Sequence, residues 1–464
     1  MDENKRLLKN TGIIAIGNIS TRLVSFLLLP LYTLLLSSEE YGDFDYLLTI
    51  ATFCMPIVSL LMDESIFRFL LDCKNENDRK SVISTSFIIV IIGMTIFTVF
   101  SIPIMLFLKY EYIYYAIIYI LLTVFSSMIS SLLRGIGRTD WYAVFNFLIG
   151  FFQILFNVLF IAALKWGIVG MILAPILAQL LVSLIFAFNI KLWKYIHLFM
   201  WNNKLAKNMI IYSLPLIPNK ISWTIINLSD RIIIMNVLGG SSAGLYAVSN
   251  KFPNLIDTVY GFFYQAWKES SARVLGELSQ ENFYNSVYNY LKNFMYSIVL
   301  VIIAFMPIIF KVLVNESFCE AIYYIPCLII ATYFANISGF YGGIFTAYKD
   351  TKTMGITTII AALINLLTNI CLIRLLGLYA AALSTLLANF IIYLYRKMKL
   401  KKYIHLKEDW KNRGLSIIIT CIILVMFYQE NMMSTVTSCV VAIIFFFVIN
   451  YKCLLFLYRT ICLK

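Results

Sequence analysis

Apolar stretches of about 20 residues or more follow one another along nearly the whole 464-residue chain. A stretch of about 20 apolar residues is long enough to cross a bilayer as a helix. Charged residues make up 13% of the chain, against about 25% in soluble proteins. Lipid offers no partner for free backbone groups, so we expect helices. The sequence therefore predicts an all-α polytopic membrane protein. Fourteen spans are predicted, at 8–36, 43–71, 81–108, 112–133, 142–164, 168–190, 209–238, 243–267, 287–314, 319–347, 354–376, 378–396, 414–429 and 434–458.

The distribution of Lys and Arg sets the orientation of these spans. When the segments alternate between the two sides, 28 basic residues fall on the side of the N-terminus and 4 on the other. This bias follows the positive-inside rule, so both termini are predicted to be cytoplasmic. It also accounts for most of the net charge of +13 without a nucleic acid partner. On this assignment Arg396 belongs to the cytoplasmic segment that follows span 12.

The sequence lacks the patterns that are typical of enzymes and metal sites. The nine cysteines show no metal-ligand spacing, and both histidines, His197 and His405, fall in predicted cytoplasmic segments. The sequence contains no phosphate-cradling glycine loop and no nucleophile elbow. It therefore predicts neither an enzyme nor a cofactor.

An internal repeat relates the two halves of the chain. A shift of 202 residues places Gly42 on Gly244, and each glycine lies at a predicted outside turn. Both halves have six spans in the same orientation, which is typical of parallel repeats about an axis along the membrane normal. We therefore predict an N-terminal lobe at 1–195, a C-terminal lobe at 208–399 and two extra helices at 413–464. The same shift matches Thr11, Asn18, Arg22 and Ser25 with Ser213, Lys220, Thr224 and Asn227.

Charged residues near the centres of spans are confined to spans 1, 2, 7 and 8, which the repeat matches in pairs. An isolated cation in hydrocarbon costs several kcal/mol, so such residues normally face a cavity or a partner. Glu64 and Arg68 are spaced i,i+4 and are predicted to neutralise each other. The cations are Arg22, Arg68, Lys220, Arg231 and Lys251, and the acids are Asp63, Glu64, Asp230 and Asp257.

Span 7 carries the clearest polar stripe. Its polar residues are spaced by +7, +4, +3 and +4, which puts them on one helix face. We interpret this face as the lining of a wet, cationic cavity. The alternative is an internally ion-paired packing face, since Asp230 and Asp257 are near. The stripe consists of Ser213, Lys220, Thr224, Asn227 and Arg231.

Several short segments resemble a known family. The turns at 36–44 (LSSEEYGDF) and 238–246 (LGGSSAGLY), together with 365–369 (NLLTN) and 377–383 (GLYAAAL), resemble Wzx-type oligosaccharide flippases. These flippases belong to the multidrug/oligosaccharidyl-lipid/polysaccharide (MOP) exporter superfamily. The resemblance implies two six-helix lobes in a V, with spans 1, 2, 7 and 8 lining a central cavity. It also implies alternating-access transport of undecaprenyl-diphosphate-linked oligosaccharide from the cytoplasmic to the outer leaflet of the bacterial cytoplasmic membrane.

The charged stripe suits such a cargo. Arginine grips phosphate oxygens bidentately and lysine supplies a compact charge, so the diphosphate is the expected ligand of the cavity cations. Polymerase and glycosyltransferase machinery are the expected protein partners. The predicted diphosphate-binding cations are Arg22, Lys220, Arg231 and Lys251. Predicted cavity polar residues, with the acids as candidates for Na+ or H+ coupling, are Asn18, Asp63, Thr224, Asn227, Asp230, Asn250 and Asp257.

Three rival functions remain at this point. A lipid II flippase needs the same phosphate-binding cations, so it stays open as an alternative. A Na+- or H+-coupled multidrug exporter of the same superfamily is expected to carry a carboxylate in span 1, which has none between Leu7 and Leu36. A membrane-bound polysaccharide polymerase or ligase is expected to have a large external loop, and the predicted outside loops are short.

Overall fold

The structure is a computed structural model that describes residues 26–73, 75–107, 112–196, 198–348, 350–407 and 410–462. Within these ranges the chain is helical and contains no strand. Arg22 and Asn18 of the predicted site lie outside the described residues. An all-helical chain with long apolar helices confirms the predicted fold class.

The first half contains helices that correspond to predicted spans 1 to 6. The helix of span 5 ends in a π-helical turn, Val158–Ala163. The last part of predicted span 1 forms helix α1 (Leu29–Leu35). The others are α2 (Ser38–Ser59), α3 (Met62–Leu71), α4 (Glu76–Phe107), α5 (Ile113–Gly135), α6 (Thr139–Asn157) and α7 (Gly167–Asn189).

The second half has helices at the positions of predicted spans 7 to 14. Among the described residues, nine helices are long and apolar enough to cross a membrane, or ten if the bent pair α2–α3 is one span. The total of fourteen therefore stays a prediction. These helices are α8 (Asn203–Ser213), α9 (Leu216–Leu238), α10 (Gly240–Ser249), α11 (Lys251–Arg273), α12 (Gln280–Leu313), α13 (Ile325–Ala347), α14 (Thr351–Leu376), α15 (Leu378–Leu400), α16 (Trp410–Tyr428) and α17 (Met432–Cys462).

Predicted spans 2, 7 and 8 are each interrupted in the structure. Helix α2 meets α3 at a bend of 48°, where Leu60 and Leu61 both have a φ of 49°. The Ser59 hydroxyl accepts a hydrogen bond from the Leu61 N–H there. Helix α8 ends before Pro215, and α10 ends before Asn250. Pro253 explains the second break, because it lacks the N–H that would bond to the carbonyl four residues earlier.

The chain forms two compact units, Met1–Gly244 and Leu245–Lys464. The first contains α8 and α9, which the repeat assigns to the second lobe, because α9 packs on α2 and α8 packs on α3. A core cluster in this unit joins α2 to α5 and α8 through fully buried residues such as Met62, Met128 and Met209. In the second unit, α11 packs on α13, where the rings of Trp267 and Phe340 stack with centroids 4.2 Å apart.

Candidate functional site

Helices α2 and α9–α10 come together at the two glycine-containing turns that the repeat matches. A Cβ at Gly42 would overlap the Gly240 carbonyl, and a Cβ at Gly244 would overlap the Ser38 carbonyl. The hydroxyls of Ser38 and Ser241 lie 2.7 Å apart beside this crossing. Backbone contact this close requires glycine. On the predicted topology, this contact lies at the outer end of the spans.

A buried ion pair lies one turn further along α2. Asp45 is 7% exposed, and its Oδ1 accepts a hydrogen bond from Arg231 Nη1 at 3.1 Å. The ion-paired alternative therefore describes Arg231 in this structure. Arg231 reaches a phosphate only if this pair opens. Asp45 is not among the charged residues predicted to lie inside spans. Its i,i+3 spacing from Gly42 places it on the same helix face as that glycine and could have revealed it.

Lys220 on α9 and Asp63 on α3 lie further along the chain from the glycine contact than Arg231 and Asp45 do. These four polar residues are called the strip below. Lys220 is exposed and forms no ion pair within the described residues. It lies close enough to Asp63 on α3 to interact with it electrostatically. One carboxylate oxygen of Asp63 is buried and accepts no hydrogen bond from any described residue. A buried oxygen without a donor is costly, so this oxygen leaves a place for a ligand, a proton or an ion.

The other predicted site residues are distributed differently. Thr224 is buried, and its hydroxyl donates to the Lys220 carbonyl at 3.0 Å, so it bonds to its own helix. Asn250 likewise donates to the Tyr246 carbonyl at 2.8 Å. Asp230 is buried and Asp257 is exposed, and both take part in polar interactions.

The remaining predictions concern Lys251, Asn227 and the ion pair of Arg68. Lys251 is half-buried and has an interaction partner. The side chain of Asn227 lies outside the described residues. The predicted pairing of Arg68 with Glu64 is wrong: Arg68 pairs with Asp72 at 2.7 Å, at the exposed end of α3.

The strip presents charged side chains, including the ammonium of Lys220, which an anion could bind. No group of His, Cys, Asp or Glu within the described ranges could hold a metal ion. The strip offers an unpaired ammonium at Lys220, a carboxylate with a free oxygen at Asp63 and a closed contact at the predicted outer end.

Comparison with known proteins adds a family and a fold. A profile described as "Polysaccharide biosynthesis protein" matches residues 7–267. No curated protein matches the sequence. The chain is similar to an inward-facing multidrug resistance MATE family transporter of the MOP superfamily, with a TM-score of 0.70 and 15% identity over 84% of this chain and 98% of that chain.

Two further solved structures give the same result. The lipid II flippase MurJ, in an inward closed conformation, matches with a TM-score of 0.69 and 16% identity over 98% of this chain and 100% of that chain. An outward-facing MATE transporter matches with a TM-score of 0.59 and 17% identity over 87% and 97% of the two chains. The predicted MATE/MOP-like fold is therefore confirmed.

Proposed function

Because the chain belongs to the polysaccharide biosynthesis protein family, we propose that it is a flippase for lipid-linked oligosaccharides. It moves an undecaprenyl-diphosphate-linked unit from the cytoplasmic to the outer leaflet of the bacterial cytoplasmic membrane. The supporting observation is Lys220, an exposed cation near the middle of predicted span 7 without an ion pair among the described residues. A diphosphate supplies the negative charge that such a cation lacks.

The proposed cycle uses the strip from the inside outward. The diphosphate enters from the cytoplasmic leaflet and binds Lys220, together with the predicted cations Arg22 and Lys251. The contact at Gly42, Gly240 and Gly244 and the pair Asp45–Arg231 then open to release the cargo outside. While the pair is open, Arg231 is free to accompany the phosphate. The lipid tail stays in the bilayer throughout.

The first test removes the proposed phosphate-binding cations one at a time. In cells that depend on this chain for polysaccharide export, Lys220→Ala should reduce export at least tenfold, as should Arg22→Ala and Lys251→Ala. A loss of about 1.4 kcal/mol in binding is tenfold. Lys207→Ala is the matched control, because Lys207 is an exposed lysine at the polar start of α8. Full export by all three variants, at equal membrane levels, would refute the proposal.

Asp63 is the proposed coupling or tuning group. Its buried oxygen has no donor among the described residues, so a proton or a Na+ ion would complete it. In proteoliposomes, wild-type transport should respond to a proton or Na+ gradient, and Asp63→Asn should abolish that response. Transport that is indifferent to both gradients would remove the coupling role and leave Asp63 as a partner of Lys220. Asp230 and Asp257 are tested in the same way.

A further inference from the structure

A cationic cavity lies in the first unit and is lined by residues other than those of the strip on α2, α3 and α9. It has a volume of about 240 Å³ and is formed where α4 begins and where α5 and α7 end. Arg79, Arg138 and Lys191 line it, with Glu76 as the one carboxylate in the lining. The three cations come from separate segments, namely the first turn of α4, the residue before α6 and the turn after α7, and they give the cavity a net positive charge.

The cavity combines a charged rim with an apolar floor. Its floor includes Ile83, which is 1% exposed, and Leu132, which is 2% exposed, while the charged residues are exposed. None of the three cations forms an ion pair with a carboxylate of the described chain. Solvated lysines and arginines are common at cytoplasmic ends of spans. Three cations that line one cavity are a more specific feature than scattered surface charges, because all three can act on a single ligand.

The chain geometry holds Lys191 at this cavity. Lys191 has a φ of 52°, in the left-handed region that lysine seldom adopts. This residue turns the chain from α7 into a short 3-10 turn, Leu192–Lys194. Arg138 is held from the other side, because its guanidinium lies 4.7 Å from the centre of the Trp141 ring.

Exposed aromatic rings place the cavity at the membrane surface. Phe188 and Trp193 flank Lys191 in the chain, are 63% and 52% exposed, and pack edge to face with centroids 5.4 Å apart. Tryptophan is enriched at the lipid headgroup level, because its ring is amphipathic. A basic pocket between span ends at that level suits a phosphate-bearing headgroup.

We propose that Arg79, Arg138 and Lys191 form a binding site for the phosphate of an anionic membrane phospholipid. The cavity is smaller than the roughly 300–1,000 Å³ of pockets for drug-sized ligands, so it takes a headgroup and leaves the acyl chains in the bilayer. The site is separate from Lys220 and does not depend on the flippase function. Soluble phosphate carries the same chemistry and is separated from lipid by the test.

The test measures lipid binding to the full-length purified chain in detergent. Phosphatidylglycerol, phosphatidylcholine and inorganic phosphate are titrated separately, and binding is followed by thermal shift and native mass spectrometry. The variant carries Arg79→Gln, Arg138→Gln and Lys191→Gln. The matched control carries Lys204→Gln, Lys207→Gln and Lys401→Gln, which remove three exposed cations that do not line the cavity.

We expect the cavity variant to bind phosphatidylglycerol about 100-fold more weakly, from about fivefold per cation near an anionic surface. The control variant should keep wild-type affinity. Glu76→Gln should bind more tightly than wild type, a gain that misfolding does not produce. If millimolar inorganic phosphate competes with phosphatidylglycerol, the cavity binds phosphate, and its ligand can also come from solution. Equal losses in both triple variants, or no preference for phosphatidylglycerol over phosphatidylcholine, would overturn the proposal.

Discussion

Two buried arginines, one in each unit, are held in opposite ways. Arg231 in the first unit has a side chain 17% exposed and pairs with the carboxylate of Asp45 on a separate helix. Arg396 in the second unit is 4% exposed and forms no ion pair among the described residues. Its donors go to neutral oxygens instead. These acceptors are Thr357 Oγ1 at 3.0 Å, Thr358 Oγ1 at 3.1 Å and the Ser338 carbonyl at 3.0 Å.

The difference indicates which contact can open. Separating Asp45 from Arg231 exposes two complementary charges that water or a phosphate can then solvate. Moving Arg396 away from its acceptors would leave a buried cation without hydrogen-bond partners, which costs several kcal/mol. Arg396 joins α13, α14 and α15 at one point. We therefore interpret α13–α15 as a permanent assembly and the α2–α9 contact as one that opens.

The largest expected effect comes from locking the contact that opens. In a cysteine-free background, Ser38→Cys with Ser241→Cys should cross-link under oxidant or a short bismaleimide, because the two hydroxyls are 2.7 Å apart. Polysaccharide export should then be lost and should return on reduction of the disulfide. The control pair, Asn365→Cys with Thr385→Cys, joins α14 to α15 across a 3.2 Å contact. Export that survives the first cross-link, or fails equally with the second, would break the comparison.

Removing the arginine of the permanent assembly should mainly reduce stability. Arg396→Ala deletes three charge-assisted hydrogen bonds and leaves a cavity, so we expect a loss of about 3 kcal/mol in the free energy of unfolding. Thermal unfolding of the detergent-solubilised chain measures this loss. Arg396→Lys should be intermediate, because lysine keeps the charge but loses the planar fork. An unchanged melting temperature in both variants would contradict the interpretation.

A double-mutant cycle compares the two arginines directly. Asp45→Asn and Arg231→Gln should show a coupling energy of about 2 kcal/mol. Thr357→Val and Arg396→Gln should show about half as much, because Arg396 shares its charge among three neutral acceptors. Both cycles are measured by unfolding under the same conditions. Equal coupling energies would show that the carboxylate adds nothing at Arg231.

The smallest effect is expected at a half-buried charge, Asp350, beside the permanent assembly. Hydrogen bonds from the hydroxyl and N–H of Thr353, and then from Tyr403, hold the pKa of Asp350 below its ordinary value. Asp350 caps α14. Its stabilising contribution should therefore be complete above the ordinary pKa of about 4 and fade as the pH falls through the lower folded pKa. Asp350→Asn should lower the melting temperature by about a degree or two at pH 7. It should also make the fall of the melting temperature at acid pH, the acid limb, less steep. An acid limb as steep as that of wild type would contradict the assignment.

Apolar periodicity predicted helix positions well, and charge patterns predicted partners poorly. Spans 3 to 6 and 9 to 12 lie where the sequence placed them, since long apolar runs leave few alternatives in lipid. Arg396, which the sequence counts among the cytoplasmic basic residues, is buried in α15. Its partners are neutral residues distant in sequence, and no spacing rule reveals them. The repeat matched Gly42 with Gly244, but only the coordinates show their backbones in contact.

The most direct test of the central claim is transport by the purified chain in liposomes. A fluorescent undecaprenyl-diphosphate oligosaccharide is placed in one leaflet, and its appearance in the other is measured by impermeant quenching, with lipid II and a cationic drug as parallel substrates. We predict that wild type moves the oligosaccharide lipid at least tenfold faster than Lys220→Ala, while Lys207→Ala matches wild type. Movement of the oligosaccharide lipid no faster than in empty liposomes, with lipid II or the drug carried instead, would contradict the account.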